Sequence, residues 1–191
     1  MKKIFSVILC VSLALCLTAC EGAPDSSIIL NDRGRSYERE PVETTEAYNP
    51  DFSFSTTDRN GVAWNQDCFR SNQVTMINFW EPWCGPCVSE IPDLERLYQS
   101  YKSRGFTILG VYSETEMEEE VDEIIRENDV SYPVLHYSYD FEQFKTGYVP
   151  TTIFVDSKGH VMTVPAGGKN VVGSNSFEDW KEIIETLLNE S

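Results

Sequence analysis

Hydrophobic and polar positions change rhythm along this chain, and each change marks an element. Ile4 to Leu17 is an apolar run behind Lys2 and Lys3, ending in small residues before Cys20. From Glu21 to Asn49 that rhythm disappears into Asp, Glu, Arg, Ser and Thr with Pro24 and Pro41, the composition of a flexible tether. Order begins near Pro50. Phe52 and Phe54 alternate with polar residues, Asn60-Gly61 punctuates, and Val62-Ala63-Trp64 follows, which predicts a hairpin. Val74 to Trp80 is β-branched and aromatic with no charge, a buried strand. Val88, Ile91, Leu94, Leu97 or Tyr98, and Tyr101 then recur at helical spacing until Gly105 stops the segment.

Phe106 to Tyr112 predicts a second apolar strand, and Thr115-x-x-Glu118 a capping box that opens a helix. Met117, Val121, Ile124 and Ile125 make that helix's apolar stripe. Glu116, Glu118, Glu119, Glu120, Asp122 and Glu123 cover its other faces, as a solvated surface or as metal ligands. Pro133 to Tyr137 predicts a short strand, and Asp140 to Lys145 a short helix closed by Gly147. Tyr148 to Asp156 is a strand entered through Pro150; Ser157-Lys158-Gly159 turns it, and His160 to Val164 returns antiparallel. A glycine-rich loop leads to Ser176 as N-cap of a last helix with Phe177, Trp180, Ile184, Leu187 and Leu188 inward. Gly167-Gly168-Lys169 lacks the spacing of a phosphate loop and the Ser or Thr after lysine, so it carries no such function.

Charge narrows the partners. The 191 residues hold 15 Lys and Arg against 31 Asp and Glu, a net charge of −16. So acidic a surface argues against nucleic acid and against docking on anionic headgroups. The basic start, apolar core and small residues before Cys20 describe an export signal over 1–19, too short for a comfortable membrane span. Leu17-Thr18-Ala19-Cys20 resembles the bacterial lipobox, which implies lipidation of Cys20 and an extracytoplasmic, membrane-anchored protein. Cys10 and Cys16 would leave with the signal.

The candidate chemistry lies in Trp83-Cys84-Gly85-Pro86-Cys87, where the strand meets the helix N-terminus. Two thiols one turn apart can close and reopen a disulfide; half a zinc site has the same spacing. Free N–H groups and the helix dipole favour a thiolate on the first cysteine. Glu90 lies on the same helix face as Cys87 and could carry its proton if half-buried, a surface glutamate being the alternative. Glu81 near Cys84 opposes a thiolate. Cys68 is left over as a buried free thiol, as a disulfide partner, or as a ligand with Cys84, Cys87 and one of His136 and His160 in a zinc site.

Trp-Cys-Gly-Pro-Cys at the first helix, Val149-Pro150-Thr151 before a later strand, and the β-α-β, helix, β-β-α order resemble a thioredoxin fold. Asn78, Cys87-x-x-Glu90-x-Pro92 and the extra material between Tyr112 and Pro150 narrow the resemblance to TlpA/ResA-like exported thiol–disulfide oxidoreductases. The expected class is α/β, a central mixed sheet flanked by helices over 50–191, with an N-terminal hairpin and an insertion before the cis-proline strand; 20–49 is the lipidated tether. The resemblance implies that Cys84 attacks a partner disulfide and Cys87 resolves the mixed disulfide, with Glu90 serving Cys87. Trp83 shields the sulfurs, Pro86 sets the first turn, and the Val149 backbone beside a cis Pro150 pairs with substrate. It implies no metal and no cofactor beyond the cysteine pair, and a monomer. Its partners would be exported disulfide proteins such as apocytochrome c, with electrons from a membrane thiol donor of the CcdA type. A thiol peroxidase of the peroxiredoxin class and a metal- or ligand-binding lipoprotein on the same scaffold are the alternatives.

Overall fold

A computed structural model describes residues 48–190. The signal over 1–19, Cys20 and the tether up to residue 47 lie outside the described residues. The chain runs β1 (Ser55–Thr57), β2 (Ala63–Asn65), β3 (Val74–Phe79), α1 (Gly85–Tyr101), β4 (Phe106–Tyr112) and α2 (Glu118–Glu127). It continues through β5 (Val134–His136), β6 (Thr151–Asp156), β7 (Val171–Val172) and α3 (Phe177–Glu190). The main sheet has the order β5-β4-β3-β6-β7. β3 pairs in parallel with β4 and β4 with β5; β6 lies antiparallel to both β3 and β7.

The apolar runs become the middle of this sheet because both its faces are covered. Val74, Met76, Phe106, Ile108 and Phe154 point to the side of α1 and α3. Ile77, Phe79, Leu109, Val111, Ile153 and Val155 point to the other, where Phe52, Phe54, Phe69 and Phe141 close over them. Side chains alternate along a strand, so Asn78 falls on the α1 face opposite its β6 partner Thr152. The position of this polar pair, under the first turns of α1, is set by register alone.

The expected hairpin forms, β1 against β2 in antiparallel register. Asp58 Oδ1 accepts the N–H groups of Asn60 and Val62, and Gly61 takes φ +78°, which a side chain would strain. The hairpin leans on the sheet edge at β5: Thr56 Oγ1 donates to the His136 carbonyl at 2.7 Å, and Arg59 N–H to the Val134 carbonyl at 3.2 Å. That covers one otherwise open edge.

Three sequence expectations are corrected. His160–Val164 is not a strand. It does return antiparallel to β6, but in one bridge at Val161, and the strand that pairs with β6 on the side away from β3 is β7, after the glycine loop. The capping box at Thr115 does not form: Thr115–Met117 is a 3-10 turn without a side-chain cap. Glu118 instead faces Arg59, Tyr112 and His136, stronger partners than a backbone N–H. The strand expected from Tyr148 begins at Thr151, after a bend. Ser176 does cap α3, exchanging bonds with Asp179 through Oγ and both backbone N–H groups.

Candidate active site

Cys84 is the N-cap of α1, and its Sγ accepts the Cys87 backbone N–H at 3.3 Å. The two sulfurs are bonded, with Cα atoms 5.2 Å apart. Pro86 sits in the first turn, exposed, where its missing N–H leaves no bond unmade. The pair is asymmetric. Cys87 is 0% exposed under the helix, while Cys84 keeps 5% at the mouth. What little surface the pair shows therefore belongs to Cys84. In the reduced state the same N–H and the helix dipole favour negative charge on Cys84.

The mouth is shaped by a neighbouring loop. The Val149–Pro150 peptide is cis, and the Val149 carbonyl oxygen lies 3.6 Å from Cys84 Sγ. Trp83 is 60% and Tyr148 73% exposed, flanking the pair rather than filling the core. Between them opens a groove of about 460 Å³, walled by Phe79, Val111, Tyr137, Phe141 and Phe144. Glu81, one of its polar walls, turns its carboxylate to the Ser113 and Glu114 backbone N–H groups, at 3.0 and 3.1 Å, and to the Ser113 hydroxyl. These bonds anchor the end of β4 to the active-site loop.

Glu90 is buried, 3% exposed, one turn beyond Cys87. Its Oε1 accepts from Asn78 Nδ2 at 3.1 Å; its Oε2 accepts the Trp180 indole and the Asn175 backbone N–H, each at 3.3 Å. Burial raises its pKa above 4.5, and the three donors pull back against that rise. The surface-glutamate alternative does not survive this placement. Sequence reasoning found Glu90 and Asn78 but missed Thr152, Asn175 and Trp180, which are brought to them across separations of 74, 85 and 90 residues. A tryptophan on an apolar helix stripe reads as core, and it is core; its N–H was the overlooked part. Glu95 was missed too: buried on α1, it accepts from Ser131 and Gln99 and pins the loop before β5.

Cys68 is free and half-buried, and burial pushes its thiol up to about 12, so it stays protonated at neutral pH. His136 bonds to Thr57 and Glu118, and His160 pairs with Asp156 in the turn after β6. The structure does not bring either histidine into a ligand cluster with cysteines among the described residues. No helix among them is long and apolar enough to cross a membrane.

A profile of the AhpC/TSA family matches residues 47–164. The thiol–disulfide oxidoreductase ResA of Oceanobacillus iheyensis is 37% identical over 95 residues, 48% of either chain. ResA of Geobacillus kaustophilus is 29% identical over 140 residues, 72% of this chain and 75% of that one. A crystal structure of a thiol:disulfide interchange protein of the thioredoxin family from Chlorobium tepidum superposes with a TM-score of 0.62 at 26% identity. It covers 73% of this chain and 96% of its own. The thioredoxin-like fold and the TlpA/ResA-like resemblance expected from the sequence are both borne out, and the enzyme class is dithiol–disulfide exchange.

Proposed function

We propose that this chain, which belongs to the AhpC/TSA family, reduces disulfides in exported proteins while tethered to the outer side of the bacterial membrane through Cys20. The observation that carries this reading is the asymmetry of the cysteine pair: one sulfur at the mouth accepting a helix N–H, the other sealed beneath it. In the reducing direction, the Cys84 thiolate attacks a partner disulfide, forming a mixed disulfide and releasing one partner thiolate. Cys87 gives up its proton, its sulfur attacks Cys84 Sγ, and the second partner thiolate leaves. Two electrons pass to the partner and the Cys84–Cys87 bond closes. Glu90 takes the Cys87 proton, since Asn78 cannot titrate. A membrane dithiol of the CcdA type then reopens the pair.

The groove beside Cys84 supports a polypeptide partner. Its aromatic walls suit an apolar side chain next to the target cysteine, and the Val149 backbone, beside Cys84 and lining the groove, is where an extended segment would pair. Apocytochrome c is the substrate the resemblance favours. The peroxidase alternative wants a hydroxyl three residues before its nucleophile. Glu81 stands there, committed to Ser113 and Glu114.

The test is trapping in the native membrane. A Cys87→Ala protein should accumulate an exported protein linked to Cys84 and released by reductant, and Cys20→Ser should shift the enzyme out of the membrane fraction. Peroxide-dependent turnover with no trapped protein would favour the peroxidase instead.

A further inference from the structure

The two oxygens of Glu90 are not held alike. Oε2 faces two donors that cannot accept, the Trp180 indole and the Asn175 backbone N–H. Oε1 faces the Asn78 side-chain amide, whose Nδ2 also donates to Thr152 Oγ1 at 3.0 Å. An amide can turn over and present its oxygen, and a hydroxyl can donate or accept. An indole can do neither. A proton on Oε2 would meet two N–H groups pointing at it. On Oε1 it would be accepted by a turned Asn78 Oδ1, which would also accept from the Thr152 hydroxyl.

We propose that Trp180 is a positioning residue for the proton transfer: its indole holds Oε2 as a permanent acceptor and confines the exchangeable proton to Oε1, where Asn78 and Thr152 follow it. The proposal rests on the reading of Glu90 as proton carrier for Cys87. As the Cys87 sulfur attacks, its proton passes to Oε1 and its electron pair forms the new S–S bond, while the partner thiolate leaves. When a donor dithiol reopens the bond, Oε1 returns the proton to Cys87.

The packing suits a fixed part and a movable part. Trp180 is fully buried and stands edge-on to Phe154 at 6.1 Å, so its ring cannot swing off the carboxylate. Asn78 and Thr152 are direct cross-strand partners, each free to reverse its polarity without moving backbone. Cys87 stands one turn before Glu90 on α1, and Tyr132, before β5, interacts with it electrostatically. The Tyr132 hydroxyl is kept neutral by burial, with Glu95 and Glu90 adding to the effect. From β3, β6, the β7–α3 loop and α3 come the neutral Asn78, Thr152, Asn175 and Trp180. Removing one donor therefore favours the uncharged carboxyl group.

The experiment is the pH profile of model-disulfide reduction by the reduced full chain, for parent, Trp180→Phe and Glu90→Gln. Glu90→Gln should erase the limb that reports Glu90. Trp180→Phe should move that limb about one unit toward higher pH, a tenfold change in the protonation equilibrium. A parent-like profile in Glu90→Gln overturns the proton-carrier reading and this inference with it. A limb lost in Glu90→Gln but unmoved in Trp180→Phe overturns the positioning role alone. Should the phenylalanine variant not fold, the parent carries the test by NMR. The Trp180 indole N–H resonance should follow the Glu90 limb with pH and stop doing so in Glu90→Gln; an indole indifferent to pH in the parent overturns the proposal.

Discussion

Exposure and backbone hydrogen bonding set two identical thiols in different surroundings. Cys84 is reachable and receives a helix N–H; Cys87 is sealed, one turn from a buried carboxyl group. Alkylation of the reduced protein should therefore label Cys84 first, with an apparent pKa below the free value of about 8.5. Peptide mapping at short times against pH checks it, and equal labelling of both thiols would undo the assignment. Glu90 leaves a second trace, in stability. Its pKa is raised in the folded protein by burial, so between 4.5 and that higher value the native state binds more protons than the unfolded chain. Stability should then fall as pH rises through this window. Glu90→Gln removes the titration, so the difference in unfolding free energy between parent and variant should slope across the window and flatten outside it. A constant difference from pH 4 to 8 (denaturant titrations at fixed salt, on the order of unit pH steps) would mean Glu90 ionises as in the unfolded chain.

Elements are joined here by polar ties as much as by apolar faces. Arg59, at the hairpin turn, reaches across to α2, donating to Asp122 at 3.0 Å, to the Tyr112 hydroxyl at 2.6 Å, and to Glu118. Tyr112 also donates to Glu118 at 2.6 Å. Burial pushes the Glu118 carboxyl group upward, but the bonds from Tyr112 and Arg59 outweigh it and hold the group below its ordinary value. Its stabilisation is thus present above the ordinary value and lost as pH falls through the lowered one. Arg59→Ala should cost about 1–2 kcal/mol in denaturant unfolding, less than charged bonds in a dry interior because Asp122 and Glu118 are partly solvated. The loss should shrink in high salt, and the reduction potential of the cysteine pair should not change. A loss independent of salt would assign the effect to packing of the arginine stem.

At the scale of the whole molecule, net charge acts on encounter rather than on fold. With 31 acidic and 15 basic residues, the protein repels acidic partners and attracts basic ones over roughly a Debye length, about 8–10 Å at physiological salt. Reduction of a basic model peptide disulfide should slow as salt is raised, whereas an acidic peptide of the same length should speed up. Rates that ignore salt for both would place the docking surface outside the influence of the acidic faces.

How much of this was legible in the sequence follows from the range of each interaction. Strand and helix positions could be read because alternation and helical spacing are written within a few residues: β3, β4, α1 and α3 formed where their apolar rhythm placed them. The redox pair was legible for the same reason, two cysteines and a proline sitting inside one turn. Short-range cues failed where a distant partner competed. Thr115 and Glu118 had the spacing of a capping box, but Arg59 and Tyr112 offered Glu118 stronger bonds. His160 to Val164 had strand character and does return antiparallel, but only Val161 bridges the far end of β6 at Val155, while Val171 and Val172 pair with its first residues. Residue type and local spacing thus determined the fold class, the cysteine chemistry and the acidic surface. Only tertiary structure decided which sulfur faces solvent, that a groove opens beside it, and that Trp180, Asn175 and Asn78 converge on Glu90. Burial and hydrogen bonding between segments far apart in sequence leave no periodic mark on either segment.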